Sequence, residues 1–233
     1  MSAVRADKLG DKVTRLLATQ IVDGASGPGG APLLPTELEI CVEFGVSKTV
    51  AREVIARLES LKLVTVRHGR RMQLRPPSDW NYLDPLMLDL QDPDGVRRLI
   101  AELHDARLQI EPEAAARAAV AATPEQIRRM ATLVDAMRDS VDMPDVFTEH
   151  DIAFHQEILA AAGNRVISHI IDAIRDLMRT GRHLTNSVPD GLPHAVGDHA
   201  SIVGAIQAHD ADRARTAMRE HILWGARQAG VLP

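Results

Sequence analysis

The sequence predicts a mainly α-helical protein in two parts: an N-terminal winged helix-turn-helix of three helices and a small β-hairpin, and a C-terminal all-α antiparallel helical bundle. Three observations lead there. Up to about residue 75 the pattern runs helix, helix, tight turn, helix, then two short strands around a glycine-containing tip. From residue 84 onward apolar residues recur at helical spacing. The charge also changes sign: residues 1–75 carry 12 Lys/Arg against 8 Asp/Glu, and residues 76–233 carry 15 against 24, with nine of the ten histidines. A basic segment joined to an acidic, histidine-rich one implies two jobs. The expected boundaries are 1–76 for the winged domain, 77–95 for a linker with a short helix, and 96–233 for the bundle.

Each element has a local cause. Val13, Leu16, Leu17, Gln20 and Ile21 mark a helix from Gly10 to Val22, and the stretch from Gly24 to Pro32 reads as a flexible loop. Pro35-Thr36-Glu37 opens a second helix running to Phe44, and Gly45-Val46 makes the turn. Ser47 caps a third helix to about Leu61, its hydroxyl accepting a free N–H of the first turn. Leu63–Arg67 and Met72–Leu74 read as strands flanking His68-Gly69-Arg70-Arg71. Pro76–Asp79 begins the linker, and helices are expected at 84–91, 96–122, 124–140, 144–162, 164–181, 196–208 and 210–229. Thr123-Pro124-Glu125-Gln126 forms a capping box with proline at the first helical position, and Asn186–Pro193 is a loop.

On the third helix Ala51, Val54, Ile55, Leu58 and Leu61 share one face, while Thr49, Arg52, Glu53, Ala56 and Ser60 lie opposite with Lys48 at the flank. A helix entering a major groove needs that composition: a cation near its N-terminus for base edges or phosphates, and small side chains that permit close approach. The basic tip at His68–Arg71 suits a DNA backbone or minor groove. A plain three-helix unit with solvated charges would show the same helices, but without the basic hairpin. Leu34-Pro35-Thr36-Glu37, Phe44 to Val54, Leu58-Glu59-Ser60-Leu61 and His68-Gly69 resemble the DNA-binding domain of GntR-superfamily regulators. The resemblance implies operator contacts by Ser47, Lys48, Thr49, Arg52, His68 and Gly69, with Arg70 beside them in the wing. Leu38 departs from it, standing where many members have arginine. Operators for such domains are two half-sites, so a homodimer on double-stranded DNA is expected.

In the bundle, polar groups fall on apolar stripes. Asp151 and His155 share a face with Phe147, Phe154, Ile158 and Ala162; His199 aligns with Val196, Ile202, Val203 and Ile206; His221 with Ala214, Ala217, Met218, Trp224 and Gly225; Arg107 with Ile100, Leu103, Ala114 and Ala118. Buried polar groups must satisfy one another or something bound. Three imidazoles and a carboxylate suit a divalent transition metal with open positions, and Arg107 could then hold an anion beside it. The residues leave other pairings open: Asp151 with His155 alone, and Arg107 with Glu111 one turn on. The other histidines, His104, His150, His169, His183, His194 and His209, are read as surface or loop residues.

Arg107 in the stretch Glu102–Glu111, Asp151-Ile-Ala-Phe-His155 with Asn164, His199-x-x-Ile202 and His221-Ile222 resemble the FCD effector domain of the FadR subgroup. That resemblance covers essentially the whole chain. It implies a metal held by Asp151, His155, His199 and His221, and a small carboxylate effector met by Arg107 and Asn164. Zinc is the expected ion, with nickel and manganese as alternatives. Trp80-Asn81-Tyr82-Leu83-Asp84 is similar to the linker of regulators of galactonate catabolism, which implies a sugar-acid effector.

Composition excludes other classes. One cysteine, Cys41, rules out an intrachain disulfide framework and a Cys-rich zinc module, and it fits a reducing cytosol. No secretory leader and no run of ~18 apolar residues are found, so a cytoplasmic protein with no membrane span is expected. Two rival functions stay open: a metal-dependent hydrolase-like enzyme, for which Glu111 is the only nearby candidate base, and a pure metal sensor.

Overall fold

Val13, Leu17 and Ile21 form the buried stripe of α1 (Ala3–Ser26). The computed structural model describes residues 3–26, 33–66, 71–175, 177–179 and 191–231. The tip residues His68, Gly69 and Arg70, and most of the expected glycine loop, lie outside them. The chain divides into two units, Met1–Asp92 and Pro93–Pro233. Helix α1 is longer than expected, continuing through Gly24 to Ser26, and Leu16, placed on its apolar face by spacing, is 45% exposed.

In the first unit α2 (Glu37–Phe44) starts at a capping box: Thr36 Oγ1 accepts from Glu39 N, and Thr36 N donates to Glu39 Oε2 at 2.7 Å. Gly45, at φ 62°, ends α2 in the left-handed conformation that only glycine adopts without strain. Ser47 then caps α3 (Lys48–Ser60), accepting from Val50 N at 3.3 Å. The face expected to be buried is buried: Ala51, Val54, Leu58 and Leu61 are at most 1% exposed, with Ile55 packed at the margin. Each buried valine or leucine among them contributes about 1.5–3 kcal/mol. β1 (Val64–Thr65) pairs antiparallel with β2 (Gln73–Leu74), shorter than the predicted strands.

Residues 77–92, expected as a connection, pack into this unit. Trp80 is 7% exposed and its indole N–H donates to the Arg75 carbonyl at 3.0 Å. Asp84 caps the short α4 (Pro85–Asp89) and accepts the Arg57 fork at 2.7 and 2.8 Å, which ties α4 to α3. Met87 is fully buried with them.

The second unit is helical throughout its described residues. Helix α5 (Pro93–Ala121) packs on α10 (Ala211–Gln228) and α7 (Pro144–Ala161); α6 (Pro124–Asp139) packs on α7 and on α9 (Gly191–Gln207); α8 (Arg165–Ala173) lies on α7. Ala114, Ala115, Ala118 and Ala119 give α5 a smooth buried face, so its neighbours approach closely. Pro112 inside α5 removes one ladder bond without ending the helix. The Thr123–Gln126 capping box forms as predicted. Helix α9 is already formed at Gly191, ahead of the expected 196. The helix expected over 164–181 is broken at Ile174, with Arg175 and residues 177–179 again helical.

Leu58 is 0% exposed at the centre of the first unit, so Leu58→Ala is expected to lower its stability by about 2–5 kcal/mol. Ala56→Ser on the exposed face of the same helix should change it by less than about 0.5 kcal/mol. Urea denaturation of both variants checks this.

Candidate functional site

Four elements of the second unit bring its polar residues together. Helix α7 contributes Asp151 and His155, one turn apart; α9 contributes His199, α10 His221, and α5 Arg107 and Glu111. Asp151, His155, His199 and His221 are each at most 2% exposed, and one ligand atom from each lies within 4.8 Å of the others. His199 Nε2 is 3.2 Å from Asp151 Oδ1 and 3.5 Å from His155 Nε2, and His155 Nε2 is 3.9 Å from that carboxylate oxygen. The His155 and His221 rings stack at 5.3 Å, with His199 and His221 at 4.3 Å. Two ring nitrogens facing each other across 3.5 Å beside a carboxylate is the arrangement of donors around a shared cation. His199 Nδ1 is buried and has no hydrogen-bond partner among the described residues. The donor set therefore fits a divalent metal, with one carboxylate and three imidazoles as its ligands.

Arg107 and Glu111 border the cluster. Arg107 Nε donates to Glu111 Oε1 at 2.6 Å, and the pair is almost wholly buried. Arg107 Nη2 lies 3.3 Å from His155 Nε2 and 3.5 Å from Nδ1, against the ring rather than along one lone pair. Glu111 Oε2 is 2.6 Å from His155 Nδ1. Burial by itself raises the proton affinity of Glu111. The Arg107 charge, the His155 ring and the hydrogen bonds from both outweigh it and hold the carboxyl well below the usual range. Burial, with Arg107 adding to it, pushes His155 below the ordinary imidazole value against the pull of Glu111. That direction favours the neutral ring, the form that binds metals.

Arg107, expected to hold an anion, is already paired with Glu111. Asn164 caps α8, its Oδ1 accepting from Val166 N at 3.1 Å and Ile167 N at 3.3 Å. His104, expected at the surface, is buried at 4% exposure, with Nδ1 donating to the Ile100 carbonyl at 2.8 Å. His209, in the turn before α10, donates from Nδ1 to the Ala119 carbonyl at 2.8 Å. Asp198 went unnoticed in the sequence: its Oδ2 is 3.4 Å from His221 Nδ1, across two helices, a pairing no local spacing reveals.

In the first unit the exposed face of α3 presents Lys48, Thr49 and Arg52. Arg52 Nε meets Glu37 Oε2 at 3.1 Å, a solvent-exposed pair that contributes little and exchanges readily. Ser47 Oγ accepts the cap bond and keeps its own proton to donate. Arg71 donates to the Leu34 carbonyl at 3.1 Å and to Glu39 at 2.6 Å, which anchors the hairpin to the start of α2.

Residues 9–73 match the bacterial regulatory proteins of the gntR family, and residues 102–223 match the FCD domain. The chain belongs to the GntR family. This regulator is 30% identical over 209 residues to the galactonate operon transcriptional repressor of Escherichia coli K12, covering 89% of its own length and 90% of that protein. It is also 30% identical to the transcriptional repressor NanR of Salmonella newport, over 83% of this chain and 75% of NanR. Its fold is that of Streptococcus agalactiae GntR, with a TM-score of 0.52 at 23% identity over 95% of this chain and 99% of the other. The Listeria monocytogenes protein Lar gives a TM-score of 0.58 at 17% identity, over 96% and 97%. The regulator is therefore a DNA-binding transcriptional regulator with an FCD domain, and its relatives are regulators rather than enzymes. Among the described residues no helix is long and apolar enough to cross a membrane.

Zinc added at 100 to 1,000 times its dissociation constant should stabilise the metal-free regulator by about 2.7–4.1 kcal/mol, a melting shift on the order of 10 °C. His199→Ala should abolish that shift. Differential scanning calorimetry with elemental analysis reads both, and an unchanged melting temperature with zinc, nickel and manganese alike would remove the metal centre.

Proposed function

We propose that this GntR-family regulator is a cytoplasmic, homodimeric repressor whose operator affinity falls when a small carboxylate, such as a sugar acid, binds at a metal held by Asp151, His155, His199 and His221. One observation carries this reading: four buried ligand groups from three helices converge within 4.8 Å, with a buried arginine against one of their rings. Zinc is the favoured ion, nickel and manganese the alternatives. When bound, it would supply coordination positions for a carboxylate or hydroxyl oxygen. Arg107, against the His155 ring, would hold such an anion, and Asn164 would offer its amide nitrogen, its oxygen being engaged in the α8 cap. The galactonate operon repressor and the repressor NanR support a repressor, and the former supports a sugar acid as effector. Glu111, the sequence's candidate base, is held by two partners and supports no hydrolytic role.

Ser47, Lys48, Thr49 and Arg52 would contact operator DNA, with His68, Gly69 and Arg70 as the wing. A second reading has an observation of its own. Because Arg107 already faces Glu111, an acid effector meets a neutralised pair rather than a spare cation, and that favours the metal itself as the signal.

The deciding experiment measures affinity of the metal-loaded protein for its own promoter DNA, with and without a panel of sugar acids and small carboxylic acids. Release by one acid establishes the effector, and a response to metal alone establishes the sensor. Binding no tighter than ~10⁻⁴–10⁻⁶ M to every upstream fragment would overturn both. In the same assay, Lys48→Ala and Arg52→Ala are each expected to lower affinity and to reduce the slope of log K against log salt by about 1. An unchanged slope in both would take this face off the DNA.

A further inference from the structure

Two carboxylates stand behind the proposed metal ligands. Glu111 Oε2 is 2.6 Å from His155 Nδ1, and Asp198 Oδ2 is 3.4 Å from His221 Nδ1. In each ring the Nδ1 edge faces a carboxylate, and the Nε2 edge of His155 faces His199 and Asp151, with Arg107 Nη2 beside it at 3.3 Å. A carboxylate only accepts, so each holds the proton on Nδ1 and leaves Nε2 with its lone pair. The two differ in how they are themselves held. Glu111 is buried and fixed by the Arg107 fork. Asp198 is half-buried, and its other oxygen lies 3.5 Å from His194 Nε2, on a ring stacked against Trp224 at 4.2 Å.

We propose that Glu111 and Asp198 are positioning residues of the metal centre, which lock His155 and His221 as Nδ1–H tautomers and aim their Nε2 atoms at the ion, with Arg107 holding Glu111 in place. This rests on the reading of the Asp151–His155–His199–His221 cluster as a metal site. It also assigns Arg107 a job that exists before any effector arrives. His199, whose Nδ1 has no partner among the described residues, lacks such a brace.

Glu111 cannot be removed alone without stranding a buried arginine, so the test removes the pair. The variant Arg107→Met with Glu111→Leu is compared with Arg107→Met with Glu111→Gln, which differs only in keeping an acceptor for His155 Nδ1. Zinc affinity by competition with a chromophoric chelator should fall by about 10–100-fold in the first and by less in the second, with a changed cobalt absorption spectrum in the first. Asp198→Ala, at a half-exposed site, should weaken zinc by a smaller factor. Imidazole ¹⁵N spectra of the metal-free wild-type protein should show His155 and His221 protonated at Nδ1. Zinc affinities within about threefold of wild type in both the folded Leu variant and Asp198→Ala would overturn the proposal, as would an Nε2–H tautomer at His155 in the wild-type protein. Should the wild-type protein take up no zinc, nickel or manganese, the metal reading itself fails. The ¹⁵N spectrum would then still decide whether Glu111 sets the His155 tautomer. If the Leu variant does not fold, Asp198→Ala and that spectrum decide.

Discussion

The C-terminal unit is organised around the cost of placing charge in an apolar bundle. Arg107, Glu111 and Asp151 are all essentially removed from water, with three imidazoles beside them. A buried ionised group without compensation costs several kcal/mol, so each must meet an opposite charge or a donor at hydrogen-bond distance. Those distances span α5, α7, α9 and α10. The alanine face of α5 would pack acceptably over a range of small axial shifts, because apolar contact is not directional. The 2.6 Å contacts from Glu111 to Arg107 and to His155 do not tolerate such shifts. Polar pairing thus sets the register that hydrophobic packing leaves loose.

The same constraint explains why the cluster is suited to sensing. Groups held at close distance in a low-dielectric interior respond strongly to a new charge among them. An ion or an anion arriving there would change the balance among residues on four helices at once, which would couple binding to helix position. That coupling is reciprocal: whatever lowers DNA affinity through this unit is itself bound less well by the DNA-bound protein.

In the N-terminal unit the forces are of the ordinary kind. A capping box, a left-handed glycine and a serine cap define α2, the turn and α3, and an aliphatic core of small and branched side chains replaces aromatic packing. The exposed face of α3 carries Lys48, Arg52 and Glu53 among small residues, and Arg52 is held by nothing stronger than a surface pair to Glu37. Trp80, Asp84 and Met87 belong to this unit because the indole, the Arg57 fork and the buried thioether all find partners there.

Local physics made much of this legible. Helical spacing, Thr36, Gly45, Ser47 and Thr123 determined the order of helices and most of their starts, since caps and turns act within a few residues. Spacing also placed Asp151, His155, His199, His221 and Arg107 on apolar stripes, since a helix face depends only on period. It misjudged Leu16, the extent of α1, the break in α8 at Ile174 and the exposure of His104, because these depend on which neighbour covers a face. The Arg107–Glu111 pair, one turn apart, was open to sequence reasoning; the convergence of the four ligand groups, the contacts of that pair with His155, and the pairing of Asp198 with His221 belong to the tertiary structure alone. They are meetings between residues tens of positions apart, and only the packed axes of the helices determine which side chains arrive at the same point.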